Sequence, residues 1–205
     1  MVLRSEQLAG TRFNPSRLER VYRHLQSAVE QGTIPGAAIG LAQHGTPLPS
    51  RAFGEMCAGM GTQPDTIFLT ASVTKPMTVT AVMILVERGY LLLDNPVHTI
   101  IPEFGNRGKE AVTVRHLMTH TSGLPDMLPN NIALRQAHAP LAEFYRQMFD
   151  LELDFAPGTH LQYQSSGTAM LAVIVERLSG MSLPDFLHTE LFLLLGMKDT
   201  ALGVR

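Results

Sequence analysis

The sequence predicts a mixed α/β fold of the α+β kind, in which a helical region packs on an antiparallel sheet. Apolar residues recur at helical spacing in several segments, whereas only residues 34–54 show the pattern of a strand hairpin. With 205 residues, 45% of them hydrophobic and 17% charged, the chain can bury roughly 70% of its unfolded surface. Because most segments have helical spacing, helices are expected to outnumber strands. A sheet of two or three strands needs helical cover or further strands.

The first helix is expected over residues 16–31. Asn14 and Pro15 are typical of a helix start, apolar residues line one face of the segment, and Gly32 is typical of a helix end. This segment is the first element that can cover a sheet.

A hairpin is expected next. Residues 34–54, "IPGAAIGLAQHGTPLPSRAFG", contain an apolar run, a polar turn at residues 44–46 and a second short run. Because Pro47 and Pro49 cannot donate backbone hydrogen bonds, the return strand is expected at a sheet edge.

The rest of the chain is predicted to be helices and loops. A long apolar helix over residues 72–88 ends at Gly89, and its uncharged stretch between Lys75 and Glu87 has only 11 residues, too few to cross a membrane. Further helices are expected over residues 113–120, 140–149, 165–179 and 182–195.

Composition excludes several classes of partner and location. The net charge is −2 and there is no lysine or arginine cluster, which argues against nucleic acid as a partner. The lone Cys57 rules out an internal disulfide framework. The first residues lack the apolar core of a secretory signal, and we expect a cytoplasmic protein without a membrane partner.

Ser72 and Lys75 are the first candidate for chemistry. Residues three apart share one face of a helix, so the Lys75 amine can reach the Ser72 hydroxyl if the helix begins near Ser72. A serine at that end also gains from the helix dipole as it becomes an alkoxide. An amine in apolar or cationic surroundings can accept the serine proton, which activates the nucleophile.

The spacing alone is weak evidence, because a chain with ten serines and three lysines has an appreciable chance of one such match. The alternative is a surface lysine in a first helical turn, next to a capping serine. The context of the pair has to decide between the two.

Four consecutive blocks supply that context. They are "ASVTKPMTVTAVMILVERGYLLLDNPV", "VRHLMTHTSGLPD", "FAPGTHLQYQSSG" and "LLLGMKDT". In order and spacing they resemble the β-lactamase-related serine hydrolases, which include class C β-lactamases, D-alanyl-D-alanine peptidases and family VIII-type esterases. The resemblance covers nearly the whole chain and implies a β-lactamase/transpeptidase-like fold.

The resemblance implies roles for four residues. Ser72 matches the nucleophile, Lys75 its partner, and Tyr163 the tyrosine of the family's Y-x-N block, which would shuttle a proton to the leaving group. Whether Lys75 or Tyr163 is the general base stays open, because their titrations would be coupled. Ser165 stands where the family usually has asparagine and would contact substrate. A hydroxyl offers fewer donors than an amide, which favours simple esters over amides.

The family's third block, K-T-G or H-x-G, is expected well beyond "LGMKDT", and this sequence ends at Arg205. Neither Lys109 nor Lys198 has the context to replace it. We therefore expect residues 1–205 to form a single domain truncated before the C-terminal strands, with an unpaired sheet edge. A complementing C-terminal chain or a homo-oligomer is a possible partner, and losing one oxyanion donor costs about 10²- to 10³-fold in rate.

The sequence and the resemblance together predict ester hydrolysis or acyl transfer through an acyl-enzyme, on a small-molecule ester or amide, with no cofactor. The alternatives are a β-lactamase or D-alanyl-D-alanine carboxypeptidase, and a catalytically impaired member with a binding role. A zinc site at His116 and His120 is disfavoured because Leu117 stands where H-E-x-x-H needs glutamate. Ser122 is not in a G-x-S-x-G elbow, which disfavours an α/β-hydrolase triad.

Overall fold

A computed structural model describes residues 11–203 of the chain. Residues 1–10, on which the expectation about a secretory leader partly rests, lie outside this range. The chain divides into two compact units, one up to Leu69 and one from Thr70 onward. The expectation of a single domain over residues 1–205 stays a prediction.

The first unit contains one long helix and short antiparallel strands. Helix α1 begins after Asn14, whose side chain accepts the backbone N–H of Arg17, and this confirms the predicted start. The elements are α1 (Pro15–Glu30), β1 (Gly36–Ile39), β2 (Ala42–Gln43), β3 (Thr46–Pro47), β4 (Arg51–Cys57) and β5 (Met60–Gly61).

Strand β4 lies at the centre of the three-stranded sheet, whose order is β1-β4-β5, and the expectation that it is an edge strand is wrong. Pro47 and Pro49 do not interfere because both precede the strand: Pro47 lies in the small β2-β3 hairpin, and Pro49 lies in the link to β4. The predicted turn at residues 44–46 joins that small hairpin.

Helix α1 packs on β4 through a small apolar cluster. Leu18, Tyr22 and Leu48 are buried, and Phe53 packs against them with its ring 6.3 Å from that of Tyr22. The Arg51 guanidinium covers the Tyr22 ring and pairs with Glu19. A helix and a twisted sheet thus share one apolar seam in this unit.

The second unit is helical. Its helices are α2 (Thr74–Glu87), α3 (Val114–Met118), α4 (Asn131–Gln136), α5 (Leu141–Met148), α6 (Ser165–Ser179) and α7 (Leu183–Leu187). The bounds of α6 are those the sequence predicts, and Gly180 ends it with a φ of 71°, a conformation that glycine adopts at little cost.

Helix α6 is the centre of this unit. Eight of its residues between Ser166 and Val175 are buried, and it packs against α2, α3, α5 and α7. Ala81, Val82 and Leu85 of α2 face the same core. Burial on this scale fixes the start of α2 relative to the start of α6, and the candidate site lies at those two helix ends.

Two segments differ from the prediction. The helix expected over residues 182–195 is α-helical only to Leu187 and continues as a π-helical turn over His188–Phe192. Helix α4 was not predicted, because its one apolar residue packed against the core is Leu134. Within residues 11–203, no helix is both long and apolar enough to cross a membrane.

Candidate functional site

Ser72 lies in a single 3-10 turn, Ala71–Val73, that leads directly into α2. The preceding residue, Ala71, has a φ of 45°, which is strained for a side chain with a Cβ. Such strain persists where surrounding structure enforces it and is enriched at functional sites. The turn leaves the Ser72 side chain exposed at the end of the helix.

Lys75 lies one residue into α2 and is half-buried. Its Nζ donates a hydrogen bond to Ser72 Oγ over 3.3 Å, the contact that the i, i+3 spacing predicts. The structure therefore brings the predicted serine and lysine together.

Tyr163 completes the group, although it lies 88 residues further along the chain. The Lys75 Nζ is 4.7 Å from the centroid of the Tyr163 ring. Hydrogen bonding to Lys75, and secondarily to Ser72, lowers the pKa of the Tyr163 phenol. A phenol beside an amine and a hydroxyl can exchange protons with both.

His120 also packs against the Tyr163 ring, with 4.9 Å between ring centroids. Its Nδ1 accepts the backbone N–H of Gln164 over 3.4 Å, and its own φ is 59°. Burial, and secondarily the charge of Lys75, lowers the pKa of His120, against a smaller opposing effect of Asp126. The imidazole therefore faces Tyr163 in its neutral form at pH 7.

A buried polar network holds the Tyr163 segment in place. Gln164 is fully buried, and its Oε1 accepts a hydrogen bond from the buried Ser122 hydroxyl. Gly123 has a φ of 85°, and a Cβ there would lie 2.1 Å from the carbonyl oxygen of Phe155. The "HTSGLP" block thus acts as a support for the tyrosine block.

Asp126 caps helix α6. Its carboxylate accepts the backbone N–H of Ser165 over 2.6 Å, and its carbonyl oxygen accepts that of Ser166 over 2.9 Å. Because the first N–H groups of a helix have no partner within it, a carboxylate here stabilises the helix start. Asp126 therefore fixes the position of Ser165.

Ser165 shares a cavity of about 440 Å³ with Ser72 and Lys75. The Tyr163 ring lies beside the Lys75 amine, as described above. All four residues predicted for the site are thus near one another.

The sequence did not assign site positions to His120, Gln164 or Asp126. All three are in quoted blocks, yet nothing local to each residue indicates its partner some 40 residues away. His116 has a separate role, because its Nδ1 accepts the N–H of Thr113 in a capping box at the start of α3. Among residues 11–203, no group of three or more His, Cys, Asp or Glu side chains could hold a metal ion.

Comparison with known proteins identifies the family. The family described as Beta-lactamase matches residues 21–205. The chain belongs to the beta-lactamase family. This is a family of serine hydrolases, and the membership confirms the resemblance and the β-lactamase/transpeptidase-like fold inferred from the four sequence blocks.

The curated relatives of this beta-lactamase family member include an esterase and a penicillin-binding protein. The chain is 37% identical to "Esterase EstB" of Burkholderia gladioli over 90% of its own length and 50% of that protein. It is 34% identical to "Penicillin-binding protein 4*" of Bacillus subtilis, over 87% of its own length and 41% of that protein. The chain thus spans about half the length, or less, of these relatives.

Solved structures give the same fold. The D-alanine carboxypeptidase AmpC of Burkholderia cenocepacia matches with a TM-score of 0.74 and 28% identity, over 90% of this chain and 50% of that one. A structure described as "EstCE1, a hydrolase with promiscuous acyltransferase activity" matches with a TM-score of 0.77 and 25% identity, over 88% and 52%. An octameric penicillin-binding protein homologue from Pyrococcus abyssi matches with a TM-score of 0.75 and 27% identity, over 88% and 43%.

Proposed function

We propose that the protein is a serine hydrolase that acts on esters through an acyl-enzyme, as a carboxylesterase or acyltransferase. The observation that carries the proposal is the close group of a hydroxyl, an amine and a phenol: Ser72 Oγ lies 3.3 Å from Lys75 Nζ, which lies 4.7 Å from the Tyr163 ring centroid. Nucleophilic catalysis by a serine requires a base beside the hydroxyl, and this group supplies one.

In the first half-reaction, Ser72 Oγ attacks the ester carbonyl carbon and transfers its proton to the Lys75–Tyr163 pair. When the tetrahedral intermediate collapses, the bond to the alcohol oxygen breaks, and the pair returns the proton to that oxygen. In the second half-reaction, water or another alcohol attacks the acyl-enzyme and gives its proton to the pair. Ser72 then leaves as a hydroxyl, and the acid or new ester is released.

Lys75 and Tyr163 act together as proton acceptor and donor in this scheme. The Lys75 amine lowers the pKa of the Tyr163 phenol, so a proton can move between the two groups as charge develops on Ser72.

Two observations favour esters over amides. Ser165 provides a single hydroxyl donor in the cavity where the family's usual asparagine would provide an amide with two. Two similar proteins also carry an ester or acyl-transfer activity in their names, EstB and EstCE1. Because Ser165 would bind a substrate amide less tightly than asparagine does, activated esters are expected to be the better substrates.

The test is a pair of assays on the same protein. Hydrolysis of a short-chain nitrophenyl ester is compared with hydrolysis of a chromogenic cephalosporin, and each is repeated with Ser72→Ala. We expect ester turnover that Ser72→Ala abolishes and at least tenfold slower cephalosporin turnover, a difference of about 1.4 kcal/mol in transition-state energy. Faster cephalosporin turnover would replace the proposal with its first alternative.

That alternative is a β-lactamase or D-alanyl-D-alanine carboxypeptidase. It is favoured by the similarity to a carboxypeptidase structure and to a penicillin-binding protein. A third possibility, a binding protein without turnover, is tested with a fluorophosphonate probe. Labelling of Ser72 supports an enzyme, and an unmodified Ser72 after prolonged exposure supports a binding role.

A further inference from the structure

The cavity beside Ser72 has an unbalanced charge. Lys75 and Arg135 both line it, and no aspartate or glutamate does. The rest of its wall consists of hydroxyl side chains and of apolar residues such as Met127, Ala169 and Leu183. The Arg135 guanidinium is always charged, and a cation with low-dielectric walls attracts an anion into the space that it lines.

Arg135 has no carboxylate partner within the described residues 11–203. Its Nε donates a long hydrogen bond of 3.4 Å to the amide oxygen of Asn131, one turn earlier on α4. Nearby Arg146 on α5, by contrast, is paired with Glu143 over 2.6 Å. The Arg135 guanidinium thus retains most of its five donors for a ligand.

A second cavity, of about 290 Å³, continues from the first. The two share four lining residues, which include Arg135 and Ser165. Four of the ten residues that line the second belong to α5, and they are Leu141, Phe144, Tyr145 and Met148. Asp126 is the acid there, and its carboxylate already accepts the Ser165 N–H. A carbon chain can therefore lie along apolar walls with one end near Ser72 and the other near Arg135.

We infer that Arg135 binds a free carboxylate on the acyl part of the substrate, so that the preferred substrates are half-esters of short dicarboxylic acids. This inference rests on the proposed ester chemistry. The acyl part of the substrate stays in the cavity through both half-reactions. A carboxylate on the acyl part can therefore remain paired with Arg135 until the product is released. One carboxyl group of the diacid is esterified and attacked by Ser72, and the other pairs with Arg135.

Two fluorophosphonate probes of equal chain length test the inference, one ending in a methyl group and one in a carboxylate. Labelling forms the bond between Ser72 Oγ and phosphorus and releases fluoride, and the serine proton passes to the Lys75–Tyr163 pair. The readout is the ratio of the two labelling rates by intact mass spectrometry. Arg135→Gln should lower the carboxylate-to-methyl ratio about tenfold, as expected for a hydrogen-bonded charge pair.

Two further variants serve as controls. Arg135→Lys keeps the charge and should retain part of the preference. Arg146→Gln removes a nearby arginine that does not line either cavity, and it should leave the ratio at the wild-type value. An unchanged ratio in Arg135→Gln overturns the inference, and so does an equal fall in Arg146→Gln, which would indicate a general effect of surface charge.

Failure of the proposed function gives a different result, because then neither probe labels Ser72. The Arg135 site is in that case judged by calorimetric binding of hexanedioate at low salt. Binding to the wild type that is at least fivefold tighter than to Arg135→Gln supports the site, and equal or absent binding overturns it.

Discussion

The neighbourhoods of Lys75 and Lys109 differ in the groups that receive the amine protons. Lys109 is fully buried, and its Nζ donates to the Asn106 side-chain oxygen over 2.7 Å and to the Leu151 carbonyl over 2.6 Å. Lys75 is half-buried, and its neighbours are a hydroxyl and a phenol.

The comparison of the two lysines shows that burial alone does not identify a catalytic lysine. Burial, and secondarily the charge of Arg107, lowers the pKa of Lys109, yet its acceptors cannot give or take a proton at ordinary pH. Lys109 fixes two loops, whereas the partners of Lys75 can each exchange a proton with it. The chemistry of the partner, rather than the depth of the amine, separates the two roles.

The largest expected effect comes from Lys75→Met. Loss of one member of the proposed proton-accepting pair should slow both nitrophenyl ester hydrolysis and fluorophosphonate labelling by about 10²- to 10⁴-fold, the range found for general acid–base groups. The variant also removes the main cause of the lowered pKa of Tyr163, so that this pKa should rise toward its ordinary value. Ultraviolet titration of tyrosinate measures the change.

Unfolding in urea is the control for Lys75→Met. The side chain is half-buried and makes one long hydrogen bond, so stability should stay within about 1 kcal/mol of the wild type. A variant that labels Ser72 at the wild-type rate would remove Lys75 from the mechanism.

Lys109→Met should instead lower stability and leave the labelling of Ser72 nearly unchanged. One buried and one partly buried acceptor would lose their donor, which costs about 3 kcal/mol of unfolding free energy in total. Labelling of Ser72 per folded molecule should stay within about threefold of the wild type. Lys198→Met, at an exposed position, is the matched control and should change stability by no more than about 0.5 kcal/mol. A stable Lys109→Met variant with impaired labelling would invalidate the distinction between the two lysines.

The sequence predicted the parts of this comparison that depend on local spacing. The i, i+3 interval of Ser72 and Lys75 at the start of an apolar helix indicated that the amine can reach the hydroxyl, and the surrounding blocks decided in favour of that arrangement. Tyr163 was reached only through the resemblance of its block to the family motif. The bounds of α6 followed from its buried apolar run and the glycine at its end.

What could not be predicted depends on contacts across the fold. Lys109 has the sequence context of a surface residue in "NRGKEAV", and its burial arises from Leu151, 42 residues later. Gln164 and Asp126 are likewise defined by distant partners. Strand β4 became central through β5, a pairing of only two residues that has too little pattern to detect.

Ser165→Asn changes the surroundings of Lys75 without removing any member of the group. It places the family's usual amide in the cavity, and the additional N–H donor should bind a substrate amide more tightly. We expect the ratio of cephalosporin to nitrophenyl ester turnover to rise about tenfold, equivalent to one hydrogen bond of about 1.4 kcal/mol. Ser166→Ala is an unsuitable control, because Ser166 is buried and its hydroxyl donates to the Pro125 carbonyl.

Thr168→Ser is the better control for Ser165→Asn. Thr168 lines the same cavity, and the substitution keeps its hydroxyl. The turnover ratio should stay close to that of the wild type. A ratio that also stays unchanged in Ser165→Asn would show that this position does not decide between esters and amides.

The smallest expected effect is a pH dependence of stability that originates at His120. The charged and titratable groups near it are Lys75, Asp126 and Tyr163, and burial is the main cause of its lowered pKa. In the unfolded chain the ordinary value of 6.5 applies. As the pH falls below 6.5, the unfolded chain takes up the proton first, so the free energy of unfolding falls.

His120→Asn should remove that contribution. Asparagine tolerates the positive φ of this position and can still accept the N–H of Gln164, so the fold keeps its local support. Urea unfolding between pH 7.5 and 5 should then show a smaller loss of stability on acidification than the wild type. His138→Asn is matched in backbone conformation, with a φ of 51° at an exposed site, and should keep the wild-type slope. Equal slopes in all three proteins would mean that Lys75 and the apolar surroundings do not disfavour the imidazolium at His120.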